Sequence, residues 1–212
     1  MSVPPSKAPA AIPAHPHTVP FASGAERRRA ALWAFVQKTL FGCSFHNAYR
    51  WRNALLRRFG ATIDPTVRIR PNCRIDRPWN LSMARKSALG DAVTIYAAAP
   101  VTIGERSVIS QYVIIAASRS NGTGSGTGDG MSGGMSGVLA EPVPARVTIG
   151  NDAWIAAESF VPGGITVPDG VVAGARSVLP DPAQTPLDAW TIASGDPARS
   201  RRERAYRGRD AG

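Results

Sequence analysis

The chain has 212 residues, 43% of them hydrophobic, enough for one domain with a substantial core. Its two cysteines, Cys43 and Cys73, have no CxxC spacing, which argues against a disulfide framework or a zinc site and suits a reducing cytoplasm. The formal net charge of +10 fits an anionic partner or a solvated Arg-rich surface, but no groove-reading motif supports nucleic acid, and no run nears the ~20 apolar residues that span a bilayer.

Residues 1–24 hold Pro4, Pro5, Pro9, Pro13, Pro16 and Pro20 and no apolar core of a signal peptide. Proline fixes φ and lacks a donor, so a disordered or polyproline-like tail is expected. His15 and His17 lie there without further ligands, and no metal is expected. Residues 25–60 read as two helices. The first, about 25–42, carries a wide apolar face of Leu32, Trp33, Phe35, Val36, Leu40 and Phe41, expected to dock on the same protein or a sister subunit. Its basic flanks keep peripheral membrane contact as an alternative. The second, about 46–58, turns Tyr49, Leu55 and Leu56 toward an apolar neighbour, and Gly60 ends it. His46 near its start reads as a surface or capping residue.

From residue 61 the period changes. Ile63, Ile69, Ile75 and Leu81 stand six apart; the step slips, resumes at Leu89 and Ile95, slips by two across Ala97–Pro100, and resumes at Ile103, Ile109 and Ile115. It is clearest over 149–179, where Ile149, Ile155, Val161, Val167, Ala173 and Leu179 are each six apart. Six is neither the helix period nor simple strand alternation; it marks a hexapeptide β-helix. Three hexads make one triangular coil, and coils stack ~4.8 Å apart, so 61–180 predicts about five coils. Handedness does not follow from the period. Residues 119–147 interrupt it with a Gly/Ser-rich stretch that must loop out of the prism. That stretch lacks the Lys and the strand–helix flanks of a phosphate-binding loop. Over 181–212 a strand-like DAWTIAS precedes Gly195-Asp196-Pro197-Ala198-Arg199 and a basic tail expected to be helical.

WRNALLRRFGA (51–61), RPWNLSM (77–83), VTIYAAAPVTIGERSVISQ (93–111), AWIAAESFVPGGITV, VVAGARSVL and the closing WTIASGDPAR together resemble the hexapeptide-repeat acyltransferases, in particular the colanic-acid-biosynthesis-type O-acetyltransferases. The resemblance covers about 30–204. It implies a left-handed parallel β-helix with N-terminal helices and a short C-terminal helical tail. It also implies a homotrimer, and acetyl-CoA held in the cleft between adjacent prisms. By position, Trp154, Ala156 and Ala157 would line the pantetheine arm and Gly174 and Ala175 would approach it closely. Pro197 and Arg199 would meet the adenine and its phosphates, where a guanidinium fork suits phosphate oxygens. The family's Thr-Lys pair is Pro180-Asp181 here, which removes one phosphate-binding cation.

The larger departure is catalytic. The family's general-base His falls on Ser120 and its acidic neighbour on Asn121; Ala97 stands where Asn is usual, and no His follows His46. A hydroxyl is no base near neutral pH, and losing such a base costs about 10²–10⁴ in rate. Asp129, Glu141 or His46 are the substitutes the sequence offers. Trp79, Asn80 and Tyr96 are candidate walls for a sugar. The reading is therefore an acetyl-CoA-dependent O-acetyltransferase of a saccharide intermediate of surface polysaccharide, impaired at its base; the alternative is an inactive scaffold or partner protein. The expected place is the cytoplasm, with the inner face of the membrane as the site of any docking.

Overall fold

The computed structural model describes residues 19–120, 142–180 and 185–205. The hexads wind into a parallel β-helix with three faces, each strand two or three residues long. The first face stacks Thr62–Ile63, Leu81–Met83, Val101–Ile103, Val147–Ile149 and Thr166–Val167. The second stacks Arg68–Ile69, Ala88–Leu89, Val108–Ile109, Trp154–Ile155 and Val172–Ala173. The third stacks Arg74–Ile75, Thr94–Tyr96, Ile114–Ala116 and Phe160–Val161. Five strands on the first face mean five coils.

Inside, the aliphatic anchors form columns. Ile63, Met83, Ile103, Ile149 and Val167 pair in register, and Ile69, Leu89, Ile109, Ile155 and Ala173 do the same. All are buried. Removing such a side chain from water is worth roughly 1.5–3 kcal/mol each, which makes the columns the main source of stability. The anchor of the second coil is Met83, two residues beyond the expected Leu81, which is also buried but pairs with Val101. The slip falls at the 3₁₀ turn Pro78–Asn80, which adds residues between the third and first faces.

The corners need left-handed backbone. Lys86, Ala92, Arg106, Tyr112, Asp152, Glu158 and Arg176 all have φ between 54° and 60°. Each costs about 1–2 kcal/mol for a residue with a Cβ. The turn lets the ladder run through the corner, as in Tyr112 N to Asp91 O (2.9 Å) and Arg176 N to Ala157 O (2.9 Å).

A stack of coils has two open ends. The anchors' carbonyls point to the coil below: Met83 O accepts from Asp64 N, and Ile103 O from Ala84 N. In the first coil nothing lies below, and the N-terminal helices fill that role with side chains. Trp33 Nε1 donates to Ile75 O (2.5 Å), Arg52 Nε to Ile69 O (2.7 Å), Asn53 Nδ2 to Val67 O (2.9 Å) and Arg57 Nε to Ile63 O (2.7 Å). Helix α1 is Gly24–Val36, capped by Ser23 Oγ accepting from Glu26 N (3.1 Å). Helix α2 is Tyr49–Arg58. It ends at Gly60, whose φ of +93° lets Ala61 N reach Leu56 O (3.0 Å).

The expected apolar face of the first helix splits in two. Trp33, Val36 and Phe41 are buried, whereas Leu32, Phe35 and Leu40 are exposed. Leu32 and Phe35 lie on the outer side of the regular helix α1; for Leu40 and Phe41 the cause is the π-turn Gln37–Phe41. At 3.6 residues per turn Leu40 would follow Trp33 and Val36 inward; the wider turn shifts the phase and sends Phe41 in and Leu40 out. At the other end, Thr191–Gly195 adds a strand to the second face beside Val172–Ala173, and Ala198–Glu203 returns antiparallel to it. The expected helical tail is thus a strand over these residues, since the open edge of the last coil needs a hydrogen-bonding partner. Residues 206–212 lie outside the described residues.

Candidate functional site

Following the chain around each coil, the turn from the second face to the third stacks one column. It runs upward through Arg70, Gly90–Asp91, Ser110–Gln111, Ala156–Ala157 and Gly174–Ala175 to Gly195 and Pro197 in the closing hairpin. The links are Gly90 N to Ile109 O (2.7 Å), Ser110 N to Ile155 O (2.9 Å), Ala156 N to Ala173 O (2.9 Å) and Gly174 N to Ala193 O (2.8 Å). All the residues expected at the cofactor therefore share one corner or the strand beside it. Trp154 is half exposed, and its indole N–H donates to Ser110 Oγ (2.9 Å), one coil below. Above it Ala156, Ala157, Gly174 and Ala175 carry only small side chains. A Cβ on Gly174 would stand 3.1 Å from Ser194 Cβ, so the glycine keeps the groove floor low. Pro197 and Arg199 are exposed on the hairpin, with Arg199 opposite Ser194.

Two residues of this column were not singled out by sequence. Ser110 fixes the indole. Arg176, exposed in its left-handed corner position, donates from Nε to Glu158 Oε2 (2.8 Å). Their only signal is place within the hexad, one residue after an anchor for Ser110 and three after one for Arg176, which many solvated residues share.

At the foot of the column is a cavity of about 290 Å³ lined by Tyr49, Arg70, Asp91, Ser110 and Gln111 among others. Arg70 bridges its rim, with Nε 3.7 Å from Asp91 Oδ2 and Nη1 3.0 Å from His46 Nδ1. A guanidinium only donates, so Nδ1 accepts and the imidazole proton is on Nε2. The basic nitrogen of His46 is thereby engaged.

The acceptor-side candidates gather elsewhere, at the turn from the third face to the first. Trp79 lies under Arg29, whose guanidinium carbon is 4.5 Å from the ring centroid. Asn80 donates from Nδ2 to Ala97 O (2.7 Å), and Ala117 N donates to Tyr96 O (2.8 Å). Trp79 and Asn80 are thus engaged within the protein, and Tyr96 is half-buried beside them. Asp76 sits below, accepting from Ala97 N (2.6 Å); burial pushes its carboxyl above the usual range. Ser120 ends the strand Ser118–Ser120, which leaves this same corner and pairs antiparallel with Pro142–Pro144. Asn121, Asp129 and Glu141 lie outside the described residues. Within one prism, then, Ser120 and the column of small residues stand on opposite edges of the third face.

The remaining corner, between first and second faces, is closed by ionic side chains. Arg106 clamps Asp152 with both Nε (2.7 Å) and Nη2 (2.6 Å), and Asn151 N donates to Asp169 Oδ1 (2.7 Å). Among the described residues no helix is long and apolar enough to cross a membrane.

No protein-family model matches the chain. It is 37% identical over 181 residues, 85% of this chain and 90% of the relative, to WcaF of Escherichia coli (strain K12), a protein bearing the name of a colanic acid biosynthesis acetyltransferase. Among solved structures it is similar to a maltose O-acetyltransferase from Clostridium difficile 630, with TM-score 0.69, 19% identity, and coverage of 87% of this chain and 90% of that one. A hexapeptide-repeat acetyltransferase from Vibrio cholerae O1 biovar eltor, solved with acetyl coenzyme A, matches with TM-score 0.67, 19% identity, and coverage of 87% and 92%. With that identity to WcaF over most of both chains, and a five-coil prism capped by two N-terminal helices, the chain belongs to the hexapeptide-repeat acetyltransferase family and its coil is that family's left-handed parallel β-helix.

Proposed function

We propose that the chain is an acetyl-CoA-dependent O-acetyltransferase acting on a sugar or saccharide intermediate of surface polysaccharide biosynthesis. The observation that carries this is the column of small residues at one corner, with Trp154 beside it and the Arg199 hairpin at its top. Its shape suits a long, thin, phosphorylated cofactor. Ala156, Ala157, Gly174 and Ala175 would let the pantetheine arm lie close to the backbone. Pro197 and Arg199 would meet the adenine end, where guanidinium and phosphate oxygens pair well. Bound there, the thioester supplies an activated acetyl group. The names of WcaF and the solved acetyltransferases support the same reading.

Acetyl transfer to a hydroxyl requires that the hydroxyl proton leave as its oxygen attacks. Ser120 stands at the position of the base, and Ser120 and the cofactor column lie at different corners of one prism. A homotrimer resolves the separation, because the seam between two prisms brings the corner of one copy against the column of the next. The substitution of Ser for His lowers the expected rate by about 10²–10⁴. Trp79, Asn80 and Tyr96 line the acceptor side of the seam. The place of work is the cytoplasm, with the inner face of the membrane as the site of any docking.

The second reading is a prism that binds but does not transfer. The engaged Nδ1 of His46 favours it, since that imidazole is held away from base duty by Arg70.

One experiment separates the two. Purified protein is incubated with acetyl-CoA and a saccharide acceptor, and free thiol is followed for wild type and Ser120→His. The enzyme reading expects slow wild-type release that rises about 10²-fold or more in the variant. Brisk wild-type turnover removes the scaffold reading. Trp154→Ala and Arg199→Ala should weaken coenzyme A binding by calorimetry. A wild type that takes up no coenzyme A at millimolar ligand sinks the cofactor assignment.

A further inference from the structure

We infer that the outer face of the α1–α2 pair is a docking surface for an anionic lipid bilayer. The inner side of this pair is spent on the first coil, through Trp33, Arg52, Asn53 and Arg57. The other side is unusually apolar for an exposed surface. Phe45 is 86% and Phe35 66% exposed, and Leu32, Leu40 and Trp51 are each about half exposed. The only other exposed large apolar side chains among the described residues are Val108, Tyr112 and Trp154, at the second face and its corner with the third.

The face is organised. Leu32 and Phe35 are three apart on α1 and project together. The π-turn rotates Leu40 outward to join them. Trp51 Nε1 donates to Leu40 O (3.0 Å), which ties the indole of α2 to the same surface with its polar atom satisfied. A ring with a paired N–H and an apolar body suits the boundary between headgroups and acyl chains.

Charge selects the occupant. Arg27, Arg28, Lys38, Arg50 and Arg58 are exposed along the pair. Glu26 is the one acidic residue between residues 24 and 60, and it lies 3.6 Å from Arg77 Nε. The surface is therefore apolar rings in a field of uncompensated cations, the combination that binds an interface of anionic lipid. A second copy meeting the same face would set these cations against themselves. The inference rests on the proposed function only for what docking would bring near, a membrane-borne saccharide; the docking itself needs neither cofactor nor acceptor.

The test is vesicle co-sedimentation of the full chain without acetyl-CoA, using phosphatidylcholine alone and phosphatidylcholine with about one-third phosphatidylglycerol. Binding is expected to the anionic vesicles and to fall as salt rises above about 0.15 M. Phe35→Glu with Phe45→Glu should lower binding by about tenfold or more, while coenzyme A affinity and thermal unfolding stay unchanged. Arg28→Glu with Arg50→Glu should weaken binding at low salt and leave the rings intact. No wild-type binding to anionic vesicles at low salt overturns the inference. So does unaltered binding by both variant pairs, or a ring variant whose mass by light scattering shows that a subunit contact has been lost. Vesicle binding by a protein that takes up no coenzyme A would leave docking standing and the enzymatic reading fallen.

Discussion

Asp76 shows how little of a site a single letter reveals. In sequence it is an unremarked residue after an anchor. In the fold it is half-buried below Ala97, accepts that residue's N–H, and has its carboxyl pushed up by burial. A carboxyl raised in the folded state favours folding most below its unfolded pKa, and that contribution is lost as pH rises through the folded value. Asp76→Asn keeps an acceptor for Ala97 N and removes the buried charge. Its stability relative to wild type, measured by urea unfolding, should therefore be higher at pH 7 and the gap should close as pH falls through the carboxylate range. A gap that widens in acid would refute the assignment. Ser120 is the opposite case. It is singled out by the family resemblance alone, since the period is interrupted from residue 119. The engagement of His46 by Arg70 is not legible, because 24 residues separate them in the chain.

At the scale of elements, the decisive contact is the cap beneath the first coil. Arg52 is fully buried without a carboxylate partner among the described residues, and burial holds its pKa below the usual value. It donates to Ile69 O (2.7 Å), Ser44 Oγ (2.7 Å), Phe45 O (2.8 Å) and His46 O (2.7 Å). Four oxygens thus share one guanidinium, and the rigid fork explains why the residue is Arg. Arg52→Met should cost about 2–4 kcal/mol in chemical denaturation, because it leaves buried acceptors unpaired. A loss within experimental error would show that water replaces the guanidinium at no cost. The helix pair itself is legible from composition. That Phe41 rather than Leu40 faces inward is not, because the π-turn breaks the 3.6 period on which that reading depends. The closing segment misleads for a related reason. A basic run after Gly-x-Pro suggests a helix, but the last coil offers an unpaired strand edge, and Ala198–Glu203 joins the sheet there through Thr191–Gly195.

For the whole molecule, the distribution of exposed apolar surface carries two messages. Val108, Tyr112 and Trp154 form a strip along the second face and its corner with the third, beside the candidate cofactor column. Copies meeting there would bury it and close the seam that the two-corner arrangement leaves open. Light scattering should accordingly give three times the chain mass, and Tyr112→Glu should shift it toward the monomer; a monomeric wild type would refute the seam. The other apolar surface lies at the base, on α1 and α2. In a parallel trimer all three bases point the same way, so weak docking of each would add.

The sequence alone determines the coil, its number of turns and which residues of a regular hexad point inward. A six-residue aliphatic period can be buried on one side only by winding into a prism, and position in the period then fixes direction. What only the tertiary structure decides is pairing across distance: which side chains close the open end of the first coil, which aromatic rings remain outside, and that the candidate base position and the candidate cofactor column stand at different corners. Those outcomes depend on where the insertions fall at each corner and on which unpaired carbonyls and strand edges need partners, and no local pattern of residues encodes either.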